Sequence, residues 1–210
     1  MIIKALISKY TTSERDAAKQ LIESLKISGL KNDLFLFDRG YPSFDFFLYL
    51  MDAGVKFVIR IPSNSYRGYM KPNIHDQLLE MKSNGKKIQI RGLRIFLDSG
   101  VEEILFTNLF EETFDIPAFK ALYFKRWGIE TKYDELKNKL QIQKFTGDDQ
   151  AVIEQDFYAT IFLSNMTSLV QQEADEIIYN DQLHKNLKYD CVVNRNILIG
   201  KLKIISSLLF

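Results

Sequence analysis

The sequence predicts an α/β domain with a mostly β insertion, and three observations support this fold class. Two apolar runs, at 33–38 and 55–61, flank a short helical segment, which is the pattern of a βαβ unit. After Pro62 the composition becomes polar, and two strand-like runs follow around the turn at 98–100. Helical periodicity then begins near residue 115 and continues towards the end of the chain.

Local signals justify the individual elements. Thr11 and Glu14 have capping-box spacing, which predicts a helix that follows a short strand within residues 1–10. The run at 33–38 is apolar on both faces, as a buried parallel strand is. The predicted elements are a strand within 1–10, a helix from about 12 to 29, a strand at 33–38, a helix at 44–54, a strand at 55–61, a short helix at 74–81, strands at 86–97 and 102–109, and helices at about 115–140, 148–173 and 194–208.

Two further features refine this outline. Lys56 and Arg60 lie on one side of their strand, so we place that strand near the edge of the sheet. Pro117 falls where the first turn of a helix accepts proline. A length of 210 residues suits one domain with a sizeable core.

Composition narrows the class of protein only slightly. The net charge of +1 does not by itself indicate a nucleic-acid-binding protein, although local basic patches, not net charge, decide nucleic-acid contacts. Cys191 is the single cysteine, so no disulfide framework exists, and we expect its thiol to be buried. We see no signal peptide and no apolar run long enough to span a membrane, and we therefore expect a cytoplasmic protein without membrane contact.

Asp38 and Glu130 are the candidate catalytic residues. Asp38 ends a predicted buried strand and precedes a glycine-containing turn, and ligands of open α/β sheets bind at the carboxyl ends of strands. Asp38 could instead cap the next helix or pair with Arg39. Two carboxylates at the edge of a core provide the oxygen ligands that a divalent metal needs.

Glu130 shares a predicted helix face with three other polar residues. If 119–140 is one continuous helix, Tyr123, Arg126, Glu130 and Lys137 fall in a stripe about 60° wide. The apolar side next to this stripe holds Leu122, Ile129, Tyr133, Leu136 and Leu140. The opposite, solvent side holds Lys132, Glu135 and Lys139. The stripe therefore predicts a cleft at the edge of the core, although Arg126 and Glu130 could also form an ordinary helix pair.

These residues resemble the Y-x2-R-x3-E-x6-K signature of DDE transposases of the bacterial insertion-sequence-four family. The signature is complete as Tyr123, Arg126, Glu130 and Lys137, and the block at 38–41, Asp-Arg-Gly-Tyr, resembles the surroundings of the family's second catalytic aspartate. The resemblance implies a ribonuclease H-like catalytic core. It assigns residues 1–61 to the N-terminal part of this core, 62–114 to a β-rich insertion, and 115–210 to the C-terminal helical part.

The resemblance also implies a chemistry. In the family, carboxylates in the order Asp, Asp, Glu hold two Mg²⁺ (or Mn²⁺) ions for in-line phosphoryl transfer on double-stranded DNA at transposon ends. Asp38 and Glu130 would then be metal ligands as well as catalytic residues. Tyr123, Arg126 and Lys137 would bind DNA phosphates. A nucleoid-associated location and a homodimer are further expectations of this resemblance.

One part of the family pattern is missing from the sequence. The first catalytic aspartate should lie on an earlier strand, but only Asp16 and Asp33 precede Asp38, and neither lies where a catalytic acid should. We therefore expect an N-terminally truncated domain that lacks its first strands and is defective alone. The competing interpretations are a non-catalytic DNA-binding remnant, an inactive partner subunit, and a different ribonuclease H-like nuclease. The complete signature argues against the nuclease.

Weaker signals surround this pattern. Four basic residues interleaved with isoleucines predict either a solvated strand face or an edge that follows DNA phosphates: Lys86, Lys87, Arg91 and Arg94. Trp127 is expected to pack under its helix. Arg195 is expected to be a surface charge.

Overall fold

The computed structural model describes residues 1–9, 11–29, 33–62, 65–182 and 191–209. The chain divides into two compact units. One comprises Ser8–Gly128 and is called here the sheet unit. The other comprises Met1–Ile7 and Ile129–Phe210 and is called the helical unit. Each unit is described by itself.

The elements alternate in the first half of the chain and are helical in the second. In order, they are α1 (Glu14–Ile27), β1 (Leu34–Phe37), α2 (Phe44–Asp52), β2 (Lys56–Ile61), a 3-10 turn (Arg67–Tyr69), β3 (Asp76–Ser83), β4 (Lys86–Phe96), β5 (Glu102–Thr107), α3 (Ile116–Phe124), α4 (Trp127–Asp134), a π-helical turn (Glu135–Lys139), α5 (Gln150–Gln182) and α6 (Arg195–Leu209).

One mixed sheet organises the sheet unit. Its order is β1-β2-β5-β4-β3, with β1 and β2 parallel and the other neighbours antiparallel. The predicted βαβ unit and the predicted hairpin around 98–100 are therefore confirmed. The α/β class is confirmed as well, since helices and a mixed sheet share the chain.

Helices cover both faces of this sheet. On one face, Phe57 and Ile59 of β2 pack with Phe46 and Phe47 of α2, all at most 1% exposed. On the opposite face, Val58 belongs to a second buried cluster with residues of α3. Burying one such side chain contributes about 1.5–3 kcal/mol, so the two clusters hold the sheet between its helices.

The predicted positions of the first two strands within the sheet are wrong. β1 lies at the edge and buries only Phe37 fully, whereas β2 lies inside and buries four of its residues. The charges that suggested an edge are satisfied by ion pairs. Lys56 pairs with Glu111 at 3.7 Å, and Arg60 pairs with Glu103.

Two other predictions near the start of the chain need correction. Residues 1–9 form no strand. The side-chain amide of Asn165 instead bonds the backbone N–H and C=O of Ile2, at 2.7 Å each. The first helix is capped by Ser13, not by a Thr11 capping box, and the Ser13 hydroxyl accepts from the backbone N–H of Asp16.

The short helix predicted at 74–81 is the strand β3. It pairs antiparallel with β4 along its whole length. Asn84 and Gly85 join the two strands with φ values of 48° and 74°. Asn-Gly favours this turn because both positions need the left-handed region, and this dipeptide is a hairpin signal that the helix prediction did not use.

The long helix predicted at 115–140 is broken. Asp115 caps α3, and Pro117 lies in its first turn as predicted. The chain then leaves the helix at Lys125 and Arg126, whose N–H groups bond carbonyls three residues earlier. The later helices α5 and α6 confirm the last two predicted helices, and α5 extends beyond the predicted end to Gln182.

Exposure also differs from expectation at three residues. The Cys191 thiol is exposed, and the backbone N–H of this residue donates to the side-chain oxygen of Gln182 at 3.4 Å. Trp127 is 52% exposed rather than packed under its helix. Arg195 is not a surface charge but belongs to a buried network around Glu135. Among the described helices, none combines the length and apolarity of a membrane span.

Candidate functional site

Asp38 lies at the end of the sheet where β1 and β2 both finish. It directly follows Phe37, the last residue of β1, and parallel strands bring their carboxyl ends to one edge of the sheet. Its side chain is 43% exposed. Its Oδ1 atom is nevertheless buried and makes no hydrogen bond with the described residues. One carboxylate oxygen is therefore shielded from water without a donor of its own.

The loop after Asp38 is fixed from α1. Arg15 donates to the carbonyls of Tyr41, Gly40 and Pro42 at 3.1, 3.3 and 3.4 Å. The backbone N–H of Tyr41 also donates to the Asp38 carbonyl at 3.2 Å. The turn that carries Asp38 is thus tied to the neighbouring helix.

Two guanidinium groups flank the Asp38 carboxylate. Arg60 Nη1 lies 4.0 Å from Oδ1, and Arg126 Nη1 lies 3.9 Å from Oδ2. The other arm of Arg60 forms an ion pair with Glu103, whose side chain is only 6% exposed. A buried carboxylate is tolerated when it is paired, so Arg60 is held between two acids. Glu103 had no sequence signal, because its partner lies on a different strand.

Tyr123 joins the end of α3 to the end of β1. It is 3% exposed, and its hydroxyl donates to the Phe37 carbonyl at 3.4 Å. Burial raises the pKa of the Tyr123 phenol, an effect that exceeds the lowering by nearby Arg126, so the hydroxyl stays a donor. The Arg126 guanidinium lies over the Tyr123 and Trp127 rings, 5.5 and 5.9 Å from their centroids. These contacts place the Arg126 guanidinium beside Asp38.

The sheet unit therefore brings together three of the predicted residues: Asp38, Tyr123 and Arg126. Glu130 and Lys137 belong to the helical unit. Glu130 lies on α4 and is exposed, and Lys137 lies exposed in the π-helical turn. The prediction of one continuous stripe is wrong, because the helix breaks between Tyr123 and Glu130 and changes its hydrogen bonding again at 135.

The predicted solvent side of that helix is also wrong. Glu135 is 4% exposed and accepts from Lys132 Nζ at 2.8 Å, Ser164 Oγ at 3.0 Å and Arg195 Nη2 at 3.0 Å. On the predicted apolar side, Ile129 and Tyr133 are instead 53% and 64% exposed, whereas Leu136 and Leu140 are buried as predicted. The break at Lys125 and Arg126 and the π-helical turn each shift the angular positions of the residues that follow, so a regular 100° step misplaces them.

The predicted basic run divides into separate roles. Arg91 is 8% exposed and forms a two-bond pair with Asp76, at 2.8 and 2.6 Å, so it is a structural residue. Lys87 pairs with Glu80. Arg94 pairs with Glu102 and lines a cleft. Neither a uniform solvated face nor a continuous phosphate-binding edge describes this strand.

The chain matches one family of known proteins. A family model described as a transposase DDE domain matches residues 1–166. The chain belongs to the transposase DDE domain family. A search of curated proteins found no match.

Domains of this family generally act in transposition and use divalent metal ions. The described residues of this transposase domain provide only some of the ligands that a divalent metal site needs. Asp38 Oδ1, a buried oxygen without a hydrogen-bond donor, suits a hard cation. However, two guanidinium groups already flank this carboxylate, and no cluster of three His, Cys, Asp or Glu side chains exists among the described residues. These side chains alone do not complete a metal site.

Proposed function

We propose that this chain acts in DNA transposition as part of a catalytic domain for DNA cleavage and strand transfer, related to the insertion-sequence-four family. The observation that carries the proposal is the grouping of Asp38, Arg126 and Tyr123 at the carboxyl end of β1. An acid for phosphoryl-transfer chemistry and a guanidinium for phosphate binding lie there within 4 Å of one another.

The roles of the site residues follow from this proposal. Asp38 and Glu130 are the catalytic carboxylates and are metal ligands, with Mg²⁺ or Mn²⁺ as the metal. Arg126, Tyr123 and Lys137 contact phosphates of double-stranded DNA at transposon ends. Arg126 suits this role because its planar fork can bind a phosphate with two hydrogen bonds. The protein would work at the nucleoid.

We further propose that the chain is defective when it acts alone. The sequence offers two of the three acids that the resemblance requires, and no three-ligand cluster occurs in the described part of the chain. Two acids hold metal ions less tightly than three and do not fix the geometry of a two-metal site.

The alternative is a DNA-binding protein without catalysis, either a remnant or an inactive subunit that pairs with an active copy. The flanking of Asp38 by Arg60 and Arg126 favours this alternative, since the acid is already neutralised by side chains. Both functions require DNA binding, and neither predicts cleavage by this chain alone, because the first is proposed to be defective.

Two measurements on the full chain test the proposal. The first is binding of a labelled duplex at several salt concentrations. The second is nicking of supercoiled plasmid with Mg²⁺ or Mn²⁺, with the wild type and Glu130→Gln side by side. We expect salt-dependent binding and no cleavage above background.

The outcomes separate the parts of the proposal. Cleavage that Glu130→Gln abolishes would confirm the assigned carboxylate and refute the defect. A lack of DNA binding at low salt would refute a role in transposition for this chain alone. Cleavage by an active relative that rises or falls when this chain is added would support the subunit form of the alternative.

A further inference from the structure

A cleft of about 420 Å³ opens in the sheet unit at the same end of the sheet as Asp38. Arg39 and Arg60 line it where β1 and β2 end, and Arg94 lines it where β4 ends. Glu102 and Glu103 at the start of β5 complete the charged part of the lining. Ligands of α/β sheets collect at this end of parallel strands.

The charges in the cleft are paired in a definite way. Arg60 pairs with Glu103 and Arg94 pairs with Glu102. Arg39 is exposed, and no hydrogen bond or ion pair joins it to the described residues. The three arginines and two glutamates leave one positive charge without a balancing acid. The cleft therefore has the sign that suits an anion.

Arg94 adds a hydrogen-bond donor to this charge. Its side chain is 16% exposed, and its Nε atom is buried without a hydrogen-bond partner among the described residues. An unpaired buried N–H is costly and gains from any acceptor that reaches it. A phosphate group accepts from several N–H donors at once and carries the complementary charge.

We propose that this cleft binds a backbone phosphate of the DNA, through Arg39 and Arg94, next to Asp38. The inference rests on the proposed function and adds two phosphate-binding residues to it. Arg60 connects the two places, because one arm lies 4.0 Å from Asp38 and the residue also lines the cleft. A DNA phosphate bound in the cleft would therefore lie next to the part of the DNA strand that contacts Asp38.

Charge-matched variants of the full chain test this site. Fluorescence anisotropy of a labelled duplex gives the dissociation constant across a salt series for the wild type, Arg39→Gln, Arg94→Gln, Glu102→Gln and Lys86→Gln. Lys86 is the control, since it is an exposed residue of β4 that does not line the cleft. Arg39→Gln and Lys86→Gln remove the same charge.

The expected effects differ in sign. Arg39→Gln weakens binding on the order of tenfold, and its salt slope becomes shallower by about 0.9. Arg94→Gln weakens binding in the same direction. Glu102→Gln strengthens binding, because it frees Arg94 for the phosphate. Lys86→Gln leaves the dissociation constant within about twofold.

Two results would overturn the proposal while leaving the proposed function intact. One is wild-type DNA binding that Arg39→Gln and Arg94→Gln do not weaken. The other is an equal loss in Lys86→Gln, which would mean that overall charge rather than the cleft decides binding. Failure of the wild type to bind DNA at all would instead contradict the proposed function. Circular dichroism of each variant checks that the fold is unchanged.

Nitrogen-15 NMR of the arginine Nε–H groups provides a second readout that does not depend on affinity. We expect the Arg94 resonance to shift when a short duplex is added, and to shift only weakly with inorganic phosphate. A stronger response to inorganic phosphate than to duplex at equal phosphate concentration would assign the cleft to free phosphate and refute DNA as its source. An Arg94 resonance that does not move with either probe would refute the site.

Discussion

The buried network around Glu135 should stabilise the helical unit in a pH-dependent way. Glu135 lies in the π-helical turn, and its partners come from α4, α5 and α6. Burial by itself raises the pKa of Glu135, but hydrogen bonds and charges from Arg195 and Lys132 outweigh it and lower the pKa from 4.5 to about 2. The folded state therefore favours the ionised form of Glu135 more strongly than the unfolded state does.

The size of the effect follows from this shift. Each pKa unit corresponds to about 1.4 kcal/mol, so a fall from 4.5 to about 2 gives about 3 kcal/mol. Arg195 and Lys132 retain 26% and 18% of their side-chain exposure, so solvent screens part of the attraction. We expect Glu135→Gln to lower the free energy of unfolding by about 2–3 kcal/mol at pH 7.

The stabilisation by Glu135 should depend on pH in a defined direction. Because the folded pKa is depressed, the stabilisation is present above the unfolded pKa of about 4.5 and is lost as the pH falls towards about 2. The difference between wild type and Glu135→Gln should therefore shrink between pH 5 and pH 2. Urea unfolding followed by far-ultraviolet circular dichroism measures it, with Glu173→Gln, an exposed position of α5, as the control within about 0.5 kcal/mol.

If the difference in the free energy of unfolding between the wild type and Glu135→Gln stays constant from pH 7 to pH 2, the ionisation of Glu135 does not explain it. That result would mean that shape, not ionisation, makes Glu135 important. A loss in Glu173→Gln as large as that in Glu135→Gln would refute this reasoning as well, because the effect would then belong to any glutamate of the unit.

Three substitutions in the sheet unit test its packing and one of its hydrogen bonds. An added Cβ at Gly92 would lie 2.5 Å from Met70 Sδ, so Gly92→Ala should lower the free energy of unfolding in urea by about 1–3 kcal/mol. Gly128 lies in a helix with open space around it, so Gly128→Ala should leave the free energy of unfolding equal or higher. An equal loss in both variants would contradict the packing argument. Tyr123→Phe removes the bond to the Phe37 carbonyl and should cost about 1 kcal/mol, as measured by tryptophan fluorescence during unfolding; no loss would mean that this 3.4 Å contact contributes nothing.

Local patterns predicted most of the elements that carry the site. The βαβ unit from β1 to β2 and the hairpin of β4 and β5 depend on neighbouring residues, and the sequence displays those directly. The apolar residues of β3 predict a short helix rather than a strand, although Asn84-Gly85 marks the turn that follows. Turn chemistry was the stronger signal there.

The charged partners could not be predicted in the same way. Arg195 and Glu135 are separated by 60 positions, and Arg60 and Glu103 lie on different strands that only the folded sheet makes neighbours. A helical wheel also assumes one uninterrupted helix, whereas the chain leaves the helix at Lys125. The resemblance to a family signature therefore shows in the spacing alone, but the geometry of these residues does not.

A short row of alternating charges connects Asp38 with the cleft. Glu103, Arg60, Asp38 and Arg126 follow one another, and their two acids and two guanidinium groups cancel. Substituting Arg60 would leave Glu103 buried without its partner, so a loss of DNA binding in an Arg60 variant would not distinguish a lost phosphate contact from a damaged fold. Arg39 lies outside this balanced row and carries the cleft's excess charge. The fold can therefore lose Arg39 while keeping every pair of the row, which makes it the residue at which phosphate binding and stability separate.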